Sequence, residues 1–121
     1  MRTWIVAVAV LTLATAGIVV AAEIPVEVQV SPATIVLGAP CTWVTIHTDI
    51  PAAGVVAGTV ELNGVVATIV KADARGNLVG KFDFDAITAD LSPGEAVMDF
   101  AGAYANGDTF VGSSVVPVRE R

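Results

Sequence analysis

The sequence predicts an all-β protein, an antiparallel β-sandwich of about seven short strands. Three observations lead there. Apolar and polar residues alternate at the period of a half-buried strand, as in Val26, Val28 and Val30 around Glu27 and Gln29. The run Trp43 to Ile50 is crowded with β-branched residues, which helices disfavour and pleated sheets favour. Two Asn-Gly pairs, Asn63-Gly64 and Asn106-Gly107, each separate two such runs. Asn-Gly suits the type I′ hairpin turn, whose two central residues both need positive φ.

The first 22 residues follow a different rule. Arg2 supplies a positive charge, Trp4 to Val20 runs apolar with only small or neutral interruptions, and Val20-Ala21-Ala22 ends the run in small residues. That is the three-part pattern of a secretory signal peptide, expected to form a helix and to be cleaved after Ala22. A retained membrane anchor is the alternative, since a bilayer-spanning helix needs about 20 apolar residues. Residues 1–22 are therefore expected to be the signal segment and 23–121 the domain. The remaining 99 residues can bury one core without metal or disulfide help.

The elements follow in order. Val26 to Val30 is a strand, broken by Ser31-Pro32. Ile35 to Leu37 resumes an extended run, and Gly38 with Pro40 breaks it. Trp43 to Ile50 places Val44, Ile46 and Thr48 on one face and Trp43, Thr45 and His47 on the other. Thr59 to Leu62 and Val65 to Val70 form a hairpin around Asn63-Gly64. Asp73 to Asn77 is a polar turn before a strand from Leu78 to Phe84. Asp85 to Leu91 is expected to make one or two helical turns, with Asp85 as cap and Ile87 and Leu91 facing inward. Glu95 to Tyr104 and Thr109 to Val118 form the last hairpin, with Met98, Phe100 and Tyr104 on one face.

The formal net charge is −6, and loss of Arg2 with the signal segment makes it −7. An acidic chain repels phosphate backbones, so no nucleic-acid partner is expected. With one cysteine, Cys41, no intramolecular disulfide forms. Cys41 is either a small buried hydrophobe or the site of an intermolecular disulfide in an oxidising compartment.

No constellation for catalysis stands out, and no enzyme activity or cofactor is expected. His47 is the single histidine, without a companion at metal-ligand spacing. It is a sheet-surface residue or, in the sharper reading, a ligand contact. Asp83, Asp85, Asp90, Glu95 and Asp99 make the middle of the chain acidic. Paired carboxylates can cleave glycosides, but that chemistry needs a cleft for which a sandwich this small has little room. Trp43 either joins the core or lies on the sheet surface, where an indole stacks on a sugar ring. The apolar strands Val26 to Val30 and Val115 to Val118 would recruit another chain if they lay at sheet edges.

An ordered set of short motifs adds a resemblance. It comprises Val26 to Gln29, Ser31-Pro32-Ala33-Thr34-Ile35, Trp43-Val44-Thr45-Ile46-His47, Val60-Glu61-Leu62-Asn63-Gly64, Val79-Gly80-Lys81-Phe82-Asp83 and Gly107-Asp108-Thr109-Phe110-Val111-Gly112-Ser113. Together these resemble an immunoglobulin-like module of exported bacterial and archaeal proteins. The resemblance implies an immunoglobulin-like sandwich in a secreted, periplasmic or cell-surface protein, and carries no catalytic residues. Some members place a calcium-like acidic loop before the Lys-Phe-Asp strand. Here that segment is Asp73-Ala74-Arg75-Gly76-Asn77, with an arginine between its two possible oxygen ligands, and calcium wants six to eight oxygens. No metal is expected.

The function expected is that of a non-enzymatic exported module acting in binding or structural assembly. A small carbohydrate- or cation-binding domain, and a filament subunit joined through edge strands, are the alternatives. The partner would be a protein, a glycan or a second copy, with a membrane involved only through an uncleaved signal segment.

Overall fold

The computed structural model describes residues 21–121. The expected signal helix lies outside the described residues, apart from Ala21 and Ala22. Among the described residues no helix is long and apolar enough to cross a membrane.

The chain folds into two packed β-sheets. The strands are β1 (Glu23–Pro25), β2 (Val28–Ser31), β3 (Ile35–Leu37), β4 (Trp43–Pro51), β5 (Glu61–Leu62), β6 (Val65–Val66), β7 (Ile69–Ala72), β8 (Asn77–Asp83), β9 (Gly94–Ala103) and β10 (Thr109–Glu120). One sheet, here the long sheet, runs β1-β10-β9-β5-β6, with β3 also paired to β10. The other, the short sheet, runs β2-β4-β8-β7. The sandwich is therefore as expected, but with more and shorter strands than seven, and not wholly antiparallel. β1 and β3 both pair with β10 in parallel, at its two ends.

The parallel pairs arise because the chain changes sheets twice near its start. β1 lies on β10, with Glu23 opposite Thr109 and Pro25 opposite Val111. The ladder extends one residue each way. Thr109 N–H donates to the Ala22 carbonyl and Val26 N–H donates to the Val111 carbonyl, both at 2.9 Å. The chain then crosses to the short sheet, where Glu27 N–H donates to the Asp49 carboxylate. β2 pairs with β4, and after the cis Ser31-Pro32 bond β3 returns to the long sheet. The expected single strand from Val26 to Val30 is thus two elements and a crossing.

The expected strand from Val65 to Val70 is also two. Ala67 N–H donates to Val60 in the region of the long sheet, while Thr68 N–H donates to Lys81 in the short one. One peptide step carries the chain between layers, which a continuous apolar run does not reveal. Thr59 belongs to a 3-10 turn over Ala57–Thr59 rather than to a strand. The helix is α1 (Phe84–Thr88), and its cap is Asp83, not Asp85. Asp83 accepts the Ala86 N–H at 2.9 Å. Phe84 keeps the buried phase of β8 and Ile87, three residues on, is buried at helical spacing, so the turn starts at Phe84 and its cap is the residue before it.

The core lies between the sheets. Val44, Ile46 and Ile50 from β4, Leu78 and Phe82 from β8, Met98 and Phe100 from β9, and Phe110, Val116 and Val118 from β10 are all buried. Phe82 meets Phe100 edge-on, at 6.3 Å and 88° between rings. Phe100 in turn packs on Phe110 at 5.7 Å, and Phe110 on Tyr104 at 5.5 Å. Tyr104 ends this series at the surface, where its hydroxyl donates to the Pro51 carbonyl at 2.6 Å.

That bond ties the long sheet to the end of β4. Tyr104→Phe keeps the ring and removes the bond, with an expected cost of about 0.5–1.5 kcal/mol. Desolvation also raises the Tyr104 hydroxyl above its ordinary 10.0. Stability from a raised acid is complete below the unfolded value and is lost as pH rises through the folded one. Thermal melts should therefore show wild type above the variant at pH 7. The gap should close in strong alkali, and equal melting at pH 7 would remove the bond from the account.

Candidate binding face

Alternation along four strands builds one surface, the outer face of the short sheet. Its registers align side chains in rows. Gln29, His47, Val79 and Lys71 form one row across β2, β4, β8 and β7. Ser31, Thr45, Lys81 and Ile69 form the next, and Trp43 stands opposite Asp83 beyond it. His47 and Trp43 thus share a face, as the alternation predicted. They lie four residues apart on one strand, about 13 Å at ~3.3 Å per residue.

Trp43 is half-buried, belonging neither to the core nor wholly to solvent. Cys41 is also half-buried. It packs against the edge of the core, and its thiol lies 3.5 Å from the Trp43 carbonyl. His47 is exposed. Val79 faces outward in this sheet yet is only 3% exposed, so the side chains around it cover it. Lysine stems do this well, since they lie along apolar surface while the ammonium stays wet.

The β7–β8 turn borders this face. Asp73 Oδ1 accepts the backbone N–H of Arg75 at 2.8 Å and of Asn77 at 2.9 Å. Gly76 takes φ 84°, the left-handed conformation that closes the turn. The Asn77 N–H, first, and then the Arg75 N–H and the charges of Arg75 and His47 hold the Asp73 carboxyl below its ordinary 3.8. Here the carboxylate serves to close its own turn. Among the described residues no three histidine, cysteine, aspartate or glutamate side chains converge as metal ligands.

A depressed carboxyl stabilises above its unfolded pKa, and that contribution is lost as pH falls through the folded one. Asp73→Asn keeps the acceptor but not the charge. Wild type should melt above the variant at pH 7, and the difference should shrink as pH falls below the ordinary 3.8 and close once the folded carboxyl is protonated. A difference unchanged by acid would show that the charge of Asp73 plays no part.

Beside the turn runs an open groove of about 860 Å³, bordered by Glu27, Gln29, His47, Asp49, Asp73 and Arg75. It follows β2, the edge of the short sheet. An open polar groove along a sheet edge suits an extended ligand or another protein surface better than an enclosed small molecule.

The acidic residues of the middle region do not form one site. Asp83 caps α1 on the short-sheet side, while Glu95 and Asp99 project from β9 on the outer face of the long sheet. Reading the sequence missed Lys71 and Lys81. Both follow simple alternation, but which face they share with His47 depends on the pairing of β7, β8 and β4.

No family model, no curated protein and no solved structure matches this chain.

Proposed function

We propose that this protein is a non-enzymatic, immunoglobulin-like module, exported by cleavage after Ala22, that works at the cell surface or outside the cell by offering a sheet face to a partner. The observation that carries the reading is the outer face of the short sheet. Trp43, Thr45, His47, Lys71 and Lys81 stand there in paired rows beside an open polar groove.

Strand order supports the finer reading of the fold. The order β2-β4-β8-β7 opposite β10-β9-β5 matches the four- and three-stranded sheets of immunoglobulin domains. Export is supported by the pattern of residues 1–22. Among the described residues the buried core runs from Val26 to Val118, after the expected cleavage point.

Faces are better supported than edges as the means of contact. The outermost strands are short: two residues in β6, four in β7 and four in β2. Short edges are one way proteins discourage strand-to-strand joining. β10, with the apolar run Val115 to Val118, has β9 along one side and β1 and β3 on the other.

N-terminal sequencing of the purified protein tests export, and a start at Glu23 is expected. Binding is tested by Trp43 fluorescence titrated with neutral and acidic polysaccharides, beside light scattering with and without reductant. A spectral change or a reductant-insensitive assembly supports the reading. Turnover of a glycan that disappears in His47→Ala would replace it with an enzyme.

A further inference from the structure

We infer that the partner is a second copy of this chain, with the outer face of the long sheet of one copy stacked on the outer face of the short sheet of the next. The inference rests on the reading above, that the module works through its sheet faces.

The first observation is apolar. On the outer face of the long sheet, Val66, Val97, Val111 and Val115 are between 41% and 56% exposed. Val97 stands directly opposite Val115. Val111, Ala101, Glu61 and Val66 form a single row. A sheet with one face in solvent ordinarily turns polar residues outward. Exposed valines grouped on one flat face mark a contact surface.

The second observation is charge. Glu61, Glu95 and Asp99 project among these valines, and Glu23 lies at the margin. Arg119 lies near the end of β10, at one end of this face. Two copies meeting by this same face would bring carboxylates together, so a twofold contact is disfavoured. A cationic surface is required.

The centre of the short sheet's outer face supplies one. Lys71 stands opposite Val79, and Lys81 is two residues further along the same strand, so the two lysines are diagonal neighbours. Like charges placed this way repel each other in the free molecule. The acids of that face lie at its borders rather than its centre: Glu27 before β2, Asp49 late in β4, Asp73 in the β7–β8 turn and Asp83 at the end of β8, the last three each with a carboxylate oxygen held in place by backbone amides. What the centre presents outward is lysine, with Ile69, Thr45 and Trp43 as its less polar surroundings.

The two faces lie on opposite sides of one sandwich, so their contact is head-to-tail. Such a contact repeats without closing unless a rotation brings the ends together, and the product is a stack. Its strength depends on salt, because the pairs are at the surface of each copy before contact.

Sedimentation velocity of the purified protein tests the inference. Wild type should associate at low salt, and lose that association towards about 1 M salt, where screening acts within ~3 Å. Lys71→Glu with Lys81→Glu should weaken association on the order of 100-fold, as should Glu95→Lys with Asp99→Lys. Each double variant then carries two like-charged faces. Mixed, they present complementary faces again, and association should return. Failure of the mixture to associate, or an association indifferent to both reversals, overturns the inference. A wild type that stays monomeric overturns it too. A monomer whose Trp43 fluorescence responds to a polysaccharide leaves the sheet-face reading standing, whereas one that responds to nothing loses both.

Discussion

Phe100→Ala is expected to remove about 3–5 kcal/mol of stability, the range for truncating a buried phenylalanine. Phe100 is 1% exposed and holds the middle of the aromatic series. It receives Phe82 of the short sheet edge-on and lies against Phe110 of its own sheet. Each such aromatic contact adds about 0.5–1.5 kcal/mol beyond burial. The walls of the space left behind are β8, β9 and β10, long strands held by their ladders, so the site collapses poorly. A domain of this size has roughly 5–15 kcal/mol in total. Urea titration should show the midpoint fall by a large part of its wild-type value with little change in slope. A loss below ~1 kcal/mol would show that the sheets are not joined through Phe100, and Phe100→Leu should fall between the two.

The residues of that core were legible because they obey a local rule. Val44, Ile46, Phe82, Met98 and Phe100 each fall on the inward phase of a simple alternation. Asn63-Gly64 was legible from its residue types, whereas at Asn106-Gly107 only Gly107, at φ 98°, is left-handed, so that hairpin does not close on the type I′ turn expected. Asn63 takes φ 50° and Gly64 φ 82°, the left-handed pair that a tight hairpin requires. What was not legible was the assignment of strands to sheets. Between Ala67 and Thr68 the chain leaves one layer for the other without a proline, a glycine or a charge to mark it. Near Val26 it crosses in the middle of an alternating run. Both crossings are decided by hydrogen-bond partners elsewhere in the chain: Val60 just before β5, Lys81 on β8, Asp49 on β4 and Val111 on β10.

The candidate site divides in the same way. Trp43 and His47 could be placed on one face from β4 alone. Lys71 and Lys81 could not be joined to them, because that requires the register of three strands. The contrast between the two outer faces is more remote still. Glu95 and Asp99 read in sequence as part of an acidic stretch that also holds Asp83 and Asp85. The fold divides that stretch, with Asp83 ending β8 in the short sheet and Glu95 and Asp99 projecting from β9 in the long one. Charge patterning along a β chain is therefore a poor guide to charge patterning on its surface, since α1 and the turn after it move the chain from one layer to the other.

Gly112 is where this long-range logic should have its sharpest consequence. A Cβ built there would meet the carbonyl oxygen of Val26 well inside contact distance, with Val28 Cγ2 at 2.9 Å and the Val26 carbonyl carbon at 3.2 Å. A side-chain atom can rotate away, but the Val26 peptide cannot. Its N–H, that of Glu27, is bound to the Asp49 carboxylate, the preceding Val26 N–H is bound to the Val111 carbonyl, and this segment carries the crossing from β1 to β2. Gly112→Ala must therefore either push the crossing off β10 or bend β10 away from β9. Overpacking of this kind costs about 1–3 kcal/mol when side chains can yield, and here backbone must. The expected loss is at the top of that range or above, and Gly112→Val should exceed it. Hydrogen exchange separates the two outcomes. Release of the first strand would expose the amides of Val26 and Thr109 while those of β4 and β8 stay protected. Distortion of β10 would instead loosen its ladder with β9. If Gly112→Ala melts with wild type and protects Val26 equally, the first strand does not cross β10 at this residue. Gly102 offers a comparison within the same hairpin, because there the obstacle is the ring of Phe110. A ring can tilt where a peptide cannot, so Gly102→Ala should cost less than Gly112→Ala, although Phe110 is wholly buried.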